Sequence, residues 1–393
     1  MEWEVFEVES LTRSVKVENG KIKVFETWKE KKVGVRVIEN GRVGFVTSNE
    51  FDRDLIELAR KIARISEERL DVFPEGGYVG VEGIYDRRFE DLTPDEIKDF
   101  VESMINPVVD LGVNPALGSI EFTVESVSIR NSFGADLEYR STLCSAYLES
   151  VYEDSSGFEM DESRRFADFE FVGRKSAELA RESKNPRKIE GIYSLILSPI
   201  AIHQILAHTL YPAISLENIL KGRSPLRIND SFGEMTILDD GTYPCGLFTA
   251  PFDDEGVETR RKIIFEDGCL RSYITDFGSA VRSNFEPTGN GFRGNDLYPV
   301  TSPTNVILEF GYETEELEGV YVHSFIGAHT SNPASGDFSL KTMNAFFKDE
   351  PVYAMIYGNV YDLLGKIEAF GKDVRQIENT VTPSIEFREV RFV

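Results

Sequence analysis

The stretch KVGVRVIENGRVGFVTS, residues 32–48, largely alternates apolar with polar side chains on both sides of Asn40-Gly41. Alternation with a period of two indicates a strand with one buried face, and an Asn-Gly pair favours the tight turn of a β-hairpin. Similar short segments precede this stretch, and Asn19-Gly20 separates two of them. We therefore predict that the chain begins with an antiparallel meander.

The rest of the N-terminal half mixes helices with further strands. Apolar residues at helical spacing and capping signals predict three helices, over residues 52–68, from the Thr93 N-cap onward, and over 172–181. Two more strands are predicted over residues 119–131 and 138–151. The polar stretch DSSGFEMDESRRF, residues 154–166, is interpreted as a loop.

The C-terminal half is predicted to be richer in strands. A polar segment around Pro186 indicates a boundary between an N-terminal domain, residues 1–186, and a C-terminal domain, residues 187–393. After it, Ser198 is placed to cap a helix that has Pro199 at its first position. Short strands follow, with one further helix predicted over residues 361–370. The predicted fold class is α+β.

Composition limits the classes of function. The chain has 393 residues and a net charge of −25, which disfavours direct binding to nucleic acid. It contains no apolar run long enough for a membrane span, and its acidic start, MEWEVFEVES, does not resemble a signal peptide. With three widely spaced cysteines, these features predict a cytoplasmic protein. Glutamine occurs only twice amid abundant Glu, Lys and Arg, which favours a thermophilic source.

The segment IHQILAH, residues 202–208, raises the question of a metal site. Zinc peptidases carry two histidines on a helix and a glutamate directly after the first. Here His203 and His208 are five positions apart, which is about 140° of rotation on a regular helix. Both could face one ion only if the helix bulges or breaks between them. Gln204 stands where the glutamate would be, and an amide cannot take a proton from water.

Two interpretations of the histidines stay open on chemistry alone. In the first, His203 and His208 bind a metal with His323 or His329 as the third ligand. In the second, which the spacing and Gln204 favour, they cap the helix or line a polar face next to Ile202, Ile205, Leu206 and Leu210, without a metal. Carboxylates cluster in FDDEGVETRR, residues 252–261, which is interpreted as a solvated ion-pair loop. The turn at Gly336, Asp337, Phe338 and Ser339 is a candidate for contact with a peptide.

Taken in order, four blocks of the sequence resemble the TldD/PmbA family, also called the modulator of DNA gyrase family, over nearly the whole chain. They are GVRVIENGRVGFVTSN, FDDEGVETRRKIIFEDGCLRSYITDFGSA with the following PTGNGFR, GVYVHSFIGAHTSNPASGDFS and IYGNVYDLLGKIEAFGKD. The resemblance implies an α+β N-terminal domain and a C-terminal domain around a barrel-like sheet. It also implies that TldD-type and TldE-type subunits pair into a metallopeptidase that digests unfolded peptides.

The resemblance carries over only in part to the metal site. TldD-type members bind zinc through His-Glu-x-x-x-His and a cysteine near the C-terminus. His203 and His208 match the two histidines, Gln204 replaces the glutamate, and the ending TVTPSIEFREVRFV has no cysteine. The sequence of residues 336–339, GDFS, resembles that of TldE-type members, also called PmbA, more closely. The resemblance therefore implies a TldE-type subunit without a catalytic residue or cofactor of its own.

Three hypotheses follow for the function. The leading one is a non-metal subunit that joins a TldD-type partner, as a homodimer or heterodimer, and helps to position unfolded peptide. The second is a self-sufficient zinc peptidase, with His203, His208 and His329 as ligands and Asp254, Glu255 or Asp337 as the base. The third is a peptide-binding module without catalysis.

Overall fold

The N-terminal part is one antiparallel sheet covered by helices. The computed structural model describes residues 2–393. The sheet has the strand order β3-β2-β1-β4-β5-β6. Its strands are β1 (Glu2–Glu18), β2 (Lys21–Glu39), β3 (Arg42–Ser48), β4 (Asn114–Asn131), β5 (Asp136–Tyr152) and β6 (Ser155–Ser163). The helices are α1 (Arg53–Ala63), α2 (Pro94–Asp110) and α3 (Phe169–Glu182), with a short 3-10 helix at Arg87–Phe89.

The predicted meander is confirmed, and its turns have the expected geometry. Asn40 and Gly41 both have positive φ, at 54° and 71°, which is the geometry of a two-residue hairpin turn. Strands β2 and β3 pair from Val33 with Ser48 to Glu39 with Arg42. A Cβ atom at Gly44 would stand 1.8 Å from the Ala59 carbonyl oxygen, so the glycine lets α1 lie directly on the sheet.

Helix α2 has the predicted start. The Thr93 hydroxyl accepts from the Glu96 N–H, and the Glu96 carboxylate accepts from the Thr93 N–H, which is a complete capping box. The apolar faces of α2 and α3 cover the sheet and bury large side chains such as Phe122 and Met104. The loop interpretation of residues 154–166 is wrong, because Ser155–Ser163 form β6 at the sheet edge. That strand was missed because its exposed face is polar.

The C-terminal part contains many short strands and five helices. The helices are α4 (Pro199–His208), α5 (Leu210–Ala213), α6 (Leu216–Leu220), α7 (Phe277–Ser283) and α8 (Val360–Leu364), with a 3-10 helix at Ala328–Thr330. The strands up to the middle of this part are β7 (Arg187–Lys188), β8 (Gly191–Leu197), β9 (Thr236–Asp240), β10 (Arg261–Glu266), β11 (Cys269–Leu270), β12 (Gly291–Arg293), β13 (Pro299–Thr301) and β14 (Val306–Glu309). The later strands are β15 (Val320–Ile326), β16 (Asp337–Phe347), β17 (Glu350–Tyr353), β18 (Met355–Asn359), β19 (Ile367–Phe370), β20 (Arg375–Ile377), β21 (Thr380–Thr382) and β22 (Ile385–Phe392).

Five of these strands close into a barrel. The order β15-β8-β22-β18-β16 returns to β15, because β15 also pairs with β16. Apolar side chains such as Leu197, Leu340 and Phe387 fill the core beside α4. A second sheet has the order β11-β10-β9-β14-β21-β20. The predicted α+β class with a barrel-like C-terminal part is confirmed.

One predicted helix is shorter than expected. The helix over residues 361–370 ends at Leu364, and Ile367–Phe370 form β19 against β22. Pairing with a neighbouring strand has prevailed here over local helix propensity. Among residues 2–393, no helix has the length and apolar character needed to cross a membrane. The division at residue 186 stays a prediction.

Candidate functional site

Helix α4 begins at the predicted cap and runs unbroken through both histidines. The Ser198 hydroxyl accepts from the Ala201 N–H at 3.2 Å, and Pro199 occupies the first turn. The helix extends regularly to His208, without the break that a shared metal would need. The two histidines differ in environment, because His203 is buried and His208 is exposed.

Both ring nitrogens of His203 have protein partners. Nδ1 lies 2.8 Å from the Thr380 hydroxyl, and Nε2 lies 3.4 Å from the Glu378 carboxylate. The hydrogen bond with His203 lowers the pKa of Glu378, so this carboxylate is ionised and can only accept. The pattern therefore assigns the His203 proton to Nε2, and Nδ1 accepts from the Thr380 hydroxyl. Tyr211 also hydrogen-bonds to Thr380.

His208 lies near the other two histidines of the predicted set but does not form a ligand group with them. Partial desolvation of the ring lowers the pKa of His208, and the charges of His203 and His329 lower it further. His329 is exposed on the 3-10 helix at Ala328–Thr330, which packs against α4 and β16. The structure therefore brings His203, His208 and His329 into one region.

His323 has a different role from the one considered in the sequence. It is buried on β15, and its Nε2 donates to the Phe158 carbonyl at 3.0 Å. The carboxylate of Glu159 lies 3.6 Å from the same nitrogen. Burial lowers the pKa of His323, and Glu159 acts in the opposite direction. His323 thus connects the barrel to β6 of the N-terminal sheet.

The side chains in this region do not fit a zinc ion as they are arranged. Zinc needs three or four ligands with free lone pairs. The one lone pair of His203 already accepts a hydrogen bond, and no three His, Cys, Asp or Glu side chains among residues 2–393 stand at distances suited to a shared metal. Cys144 is no ligand here, since it lies in the core beneath α2 and α3.

Gln204 points at the barrel wall. Its Oε1 accepts from the Phe325 N–H at 2.7 Å, and its Nε2 lies 3.4 Å from the Phe325 carbonyl. Strand β8 pairs with β15 only as far as Val322, so the amide of Gln204 satisfies backbone groups that β8 does not reach. An ionised glutamate could accept from this N–H but could not donate to the carbonyl.

The predicted peptide-contact segment, Gly336 to Ser339, forms a turn and the start of β16. The Asp337 carboxylate accepts from the Asn359 amide at 2.9 Å and from the Ser335 hydroxyl at 2.7 Å, and these bonds lower its pKa. Gly336 has φ of 83°, and a Cβ there would meet the Tyr361 ring at 2.8 Å. Asp337 and Ser339 are exposed, whereas Phe338 is buried. The role of the segment Gly336 to Ser339 in peptide binding stays a prediction.

Three of the four carboxylates of residues 252–261 are buried and only Glu258 is exposed, so the interpretation of this segment as a solvated ion-pair loop is wrong. Asp253, Asp254 and Glu255 are at most 8 % exposed. Burial raises the pKa of Asp254 to about 7, although its Oδ2 accepts from the Arg293 N–H at 2.8 Å. Burial also raises the pKa of Glu255, against the charge of Arg36. Neither Asp254 nor Glu255 belongs to the histidine region.

Two arginines join these carboxylates to the N-terminal sheet. Arg36 forms two hydrogen bonds to Glu4, at 2.8 and 2.7 Å, and one to Glu255 at 2.8 Å. Arg293 also bonds to Glu4. Burial alone would raise the pKa of Glu4, but the charges of Arg36 and Arg293 outweigh it and lower the pKa. This ionic network lies between the two halves of the chain.

Sequence reasoning missed two residues that define the environment of His203. Glu378 and Thr380 lie more than 170 positions further along the chain and reach the helix only because β20 and β21 form a hairpin beside it. Glu378 has φ of 46°, which fits a tight turn. No local signal at these positions pointed to a histidine partner.

Sequence profiles of one family match most of the chain. PmbA/TldA metallopeptidase domain 1 matches residues 3–64, the central domain matches 87–184, and the C-terminal domain matches 190–393.

Relatives and a solved structure agree with these matches. An uncharacterized protein of Methanocaldococcus jannaschii is 31 % identical over 98 % of this chain and 95 % of its own length. A zinc metalloprotease TldD homolog of Saccharolobus solfataricus is 28 % identical over 47 % of this chain and 44 % of its own. The crystal structure of TldE from Thermococcus kodakarensis superposes with a TM-score of 0.92 at 26 % identity, covering 100 % of this chain and 96 % of that one.

Proposed function

The chain belongs to the PmbA/TldD metallopeptidase family, and we propose that it acts as a TldE-type subunit without a catalytic metal, paired with a metal-bearing TldD-type subunit. The observation that carries the proposal is the bonding of Gln204. Its amide occupies the family's glutamate position and is held by both backbone groups of Phe325. The arrangement of His203 adds support, since both of its nitrogens already have protein partners.

In this role the chain helps to position an extended, unfolded peptide. Strand β16 offers a suitable edge, because residues Phe338 to Leu340 pair with β18 on one side, while β15 begins to pair only at Lys341. A peptide can add to such an edge through main-chain hydrogen bonds. The segment Gly336 to Ser339 lies on this edge, beside the turn that carries His329.

The test is to mix the purified chain with a TldD-type protein from the same organism. We expect the two to form a complex by light scattering, and we expect the partner to cleave an unfolded peptide faster in the mixture. Replacing the glutamate expected on the partner's metal helix should lower that rate about 10²–10⁴-fold. If the chain neither binds the partner nor changes its cleavage, the proposal is wrong.

A variant of the β16 edge tests the peptide role separately. Ser339→Lys places a charge on the open edge, where lysine discourages strand addition. We expect the complex to form as before and the peptide to be cleaved more slowly. Thr27→Lys, an exposed strand position in the N-terminal sheet, is the matched control and should leave cleavage unchanged.

The second candidate function is a self-sufficient zinc peptidase. The observation that favours it is the proximity of His208 to the charges of His203 and His329. The check is zinc per chain by elemental mass spectrometry, with His203→Ala/His208→Ala as control. Near-stoichiometric zinc that disappears in the control, together with peptide cleavage by the isolated chain, would favour this candidate over the first.

A further inference from the structure

A cleft of about 690 Å³ separates the N-terminal sheet from the C-terminal part. One wall is formed by the faces of β1, β2, β4 and β5, and the other by residues 247–254 and the β12–β13 hairpin. Pockets that bind small ligands typically measure about 300–1,000 Å³. No residue of α4 lines this cleft, so it is separate from the histidine region.

Arg164 contributes a buried positive charge to the cleft. It is 8 % exposed, and its N–H groups donate to the carbonyls of Gly246, Thr142 and Thr249 at 3.0, 3.2 and 3.1 Å. These three acceptors are neutral, and no carboxylate in the described chain forms an ion pair with Arg164. A guanidinium has five N–H donors, so two remain for a ligand.

Glu125 and Tyr139 line the same cleft with unused bonding capacity. Within residues 2–393, neither the Glu125 carboxylate nor the Tyr139 hydroxyl has a hydrogen-bond partner. Burial raises the pKa of Glu125, and the charge of Arg164 opposes this. Both side chains are half-buried in the cleft wall, so their unpaired polar atoms are accessible to a polar ligand.

The rest of the lining mixes apolar and polar side chains. Phe248 and Val300 line the cleft and are 42 % and 45 % exposed. Leu247 and Phe292 add further apolar area. The other charged residues of the lining already have protein partners; they are Glu30, Lys32, Glu162, Asp254 and Arg293. Arg164 and Glu125 are therefore left to bind a ligand that carries one anionic and one cationic group.

We propose that this cleft binds an α-amino acid zwitterion, either free or as the two ends of a short peptide. The carboxylate binds Arg164, and the ammonium group binds Glu125 and Tyr139. The inference goes beyond the proposed function, because it concerns a site outside the histidine region and requires no partner subunit. It gives the isolated chain a binding activity of its own.

The test is calorimetric titration of the isolated chain with trialanine and with alanine. Blocking either end, as N-acetyl-trialanine or trialanine amide, should weaken binding about 10-fold or more, because each block removes a charge-assisted hydrogen bond. Binding of trialanine alone would identify a peptide as the ligand, and binding of alanine alone would identify a free amino acid. Equal binding of free and blocked trialanine, or no binding of trialanine or alanine, would overturn the proposal.

Variants locate the site without disturbing the fold. Glu125→Gln removes a charge that has no protein partner, and it should weaken trialanine about 10-fold while leaving N-acetyl-trialanine unchanged. Glu121→Gln is the matched control, since Glu121 lies on the same face of β4 but outside the cleft, bonded to Ser14. Arg164 is not substituted, because its side chain also donates to three backbone carbonyls and its loss would disturb the fold. Its contribution to binding is tested with trialanine amide, which lacks the carboxylate. A failed partner assay would leave these titrations unaffected, which keeps the two proposals distinguishable.

Discussion

Gln204 on α4 makes hydrogen bonds to both backbone groups of Phe325 on β15, accepting from its N–H at 2.7 Å and reaching its carbonyl at 3.4 Å. Just before this point, the Ser198 N–H donates to the Val322 carbonyl at 3.1 Å. The helix thereby continues the pairing that β8 begins along the edge of β15. The side chain of Gln204 thus helps to close the barrel wall.

Gln204→Glu is therefore expected to destabilise the fold without creating a peptidase. The carboxylate would face the Phe325 carbonyl and lose the donated bond, at a cost of about 1–3 kcal/mol in the free energy of unfolding. Urea unfolding measures this loss, and zinc content and peptide cleavage are measured on the same protein. Cleavage by this variant alone would contradict the assignment of Gln204 to a structural role.

The two histidines of α4 are expected to differ in their effect on stability. His203→Ala leaves Thr380 and Glu378 without their buried partner and should cost about 2–3 kcal/mol. His208→Ala removes an exposed ring and should change the free energy of unfolding by less than about 0.5 kcal/mol. Urea unfolding of both variants, at a pH where histidine is neutral, checks the difference. Equal effects would mean that the two rings have similar environments.

The ionic network between the two halves should be sensitive to loss of a single arginine. Arg36→Met leaves the carboxylates of Glu4 and Glu255 buried without their counter-charge, which should cost about 3–5 kcal/mol. Lys98→Met, which breaks a single exposed pair with Glu102, is the control and should cost less than about 1 kcal/mol. Chemical unfolding followed by tryptophan fluorescence compares them, and similar costs would argue against a stabilising network.

Asp254 should make stability depend on pH. Burial raises its pKa from 3.8 to about 7, so between these values the folded chain keeps a proton that the unfolded chain loses. Its contribution to stability is present below about pH 4 and is lost as the pH rises through about 7.

Asp254→Asn carries no titrating proton and should flatten this part of the stability profile. The measurement is the free energy of unfolding at several pH values from 4 to 8, taken as a difference between the variant and the unchanged chain. Asp136→Asn, an exposed strand position, serves as control and should leave the profile unchanged. A parallel shift of the Asp254→Asn profile, with no change in slope, would contradict the assignment.

Local patterns predicted those elements whose signals lie within a few residues. The hairpin at Asn40-Gly41, the capping box at Thr93 and the cap at Ser198 all formed as the sequence indicated. The errors fall where a neighbouring strand decides the structure. The polar segment Ser155–Ser163 was predicted as a loop but forms an edge strand paired with β5. The segment Ile367–Phe370 was predicted as helix but pairs with β22.

The candidate site shows the same division. The sequence placed His203, Gln204 and His208 on one helix. The spacing of five positions between the two histidines already argued against a metal ion bound by both. It could not show that Thr380 and Glu378 occupy both nitrogens of His203, because these partners come from a distant hairpin.

The sequence by itself determined the α+β class and the family, because residue identity and short-range periodicity carry that information. Only the tertiary structure decided what Gln204 binds and which carboxylates are buried. It also decided that Arg164, Glu125 and Tyr139 line one cleft. The physical reason is that hydrogen bonding and desolvation act between side chains that folding brings together, whatever their separation along the chain.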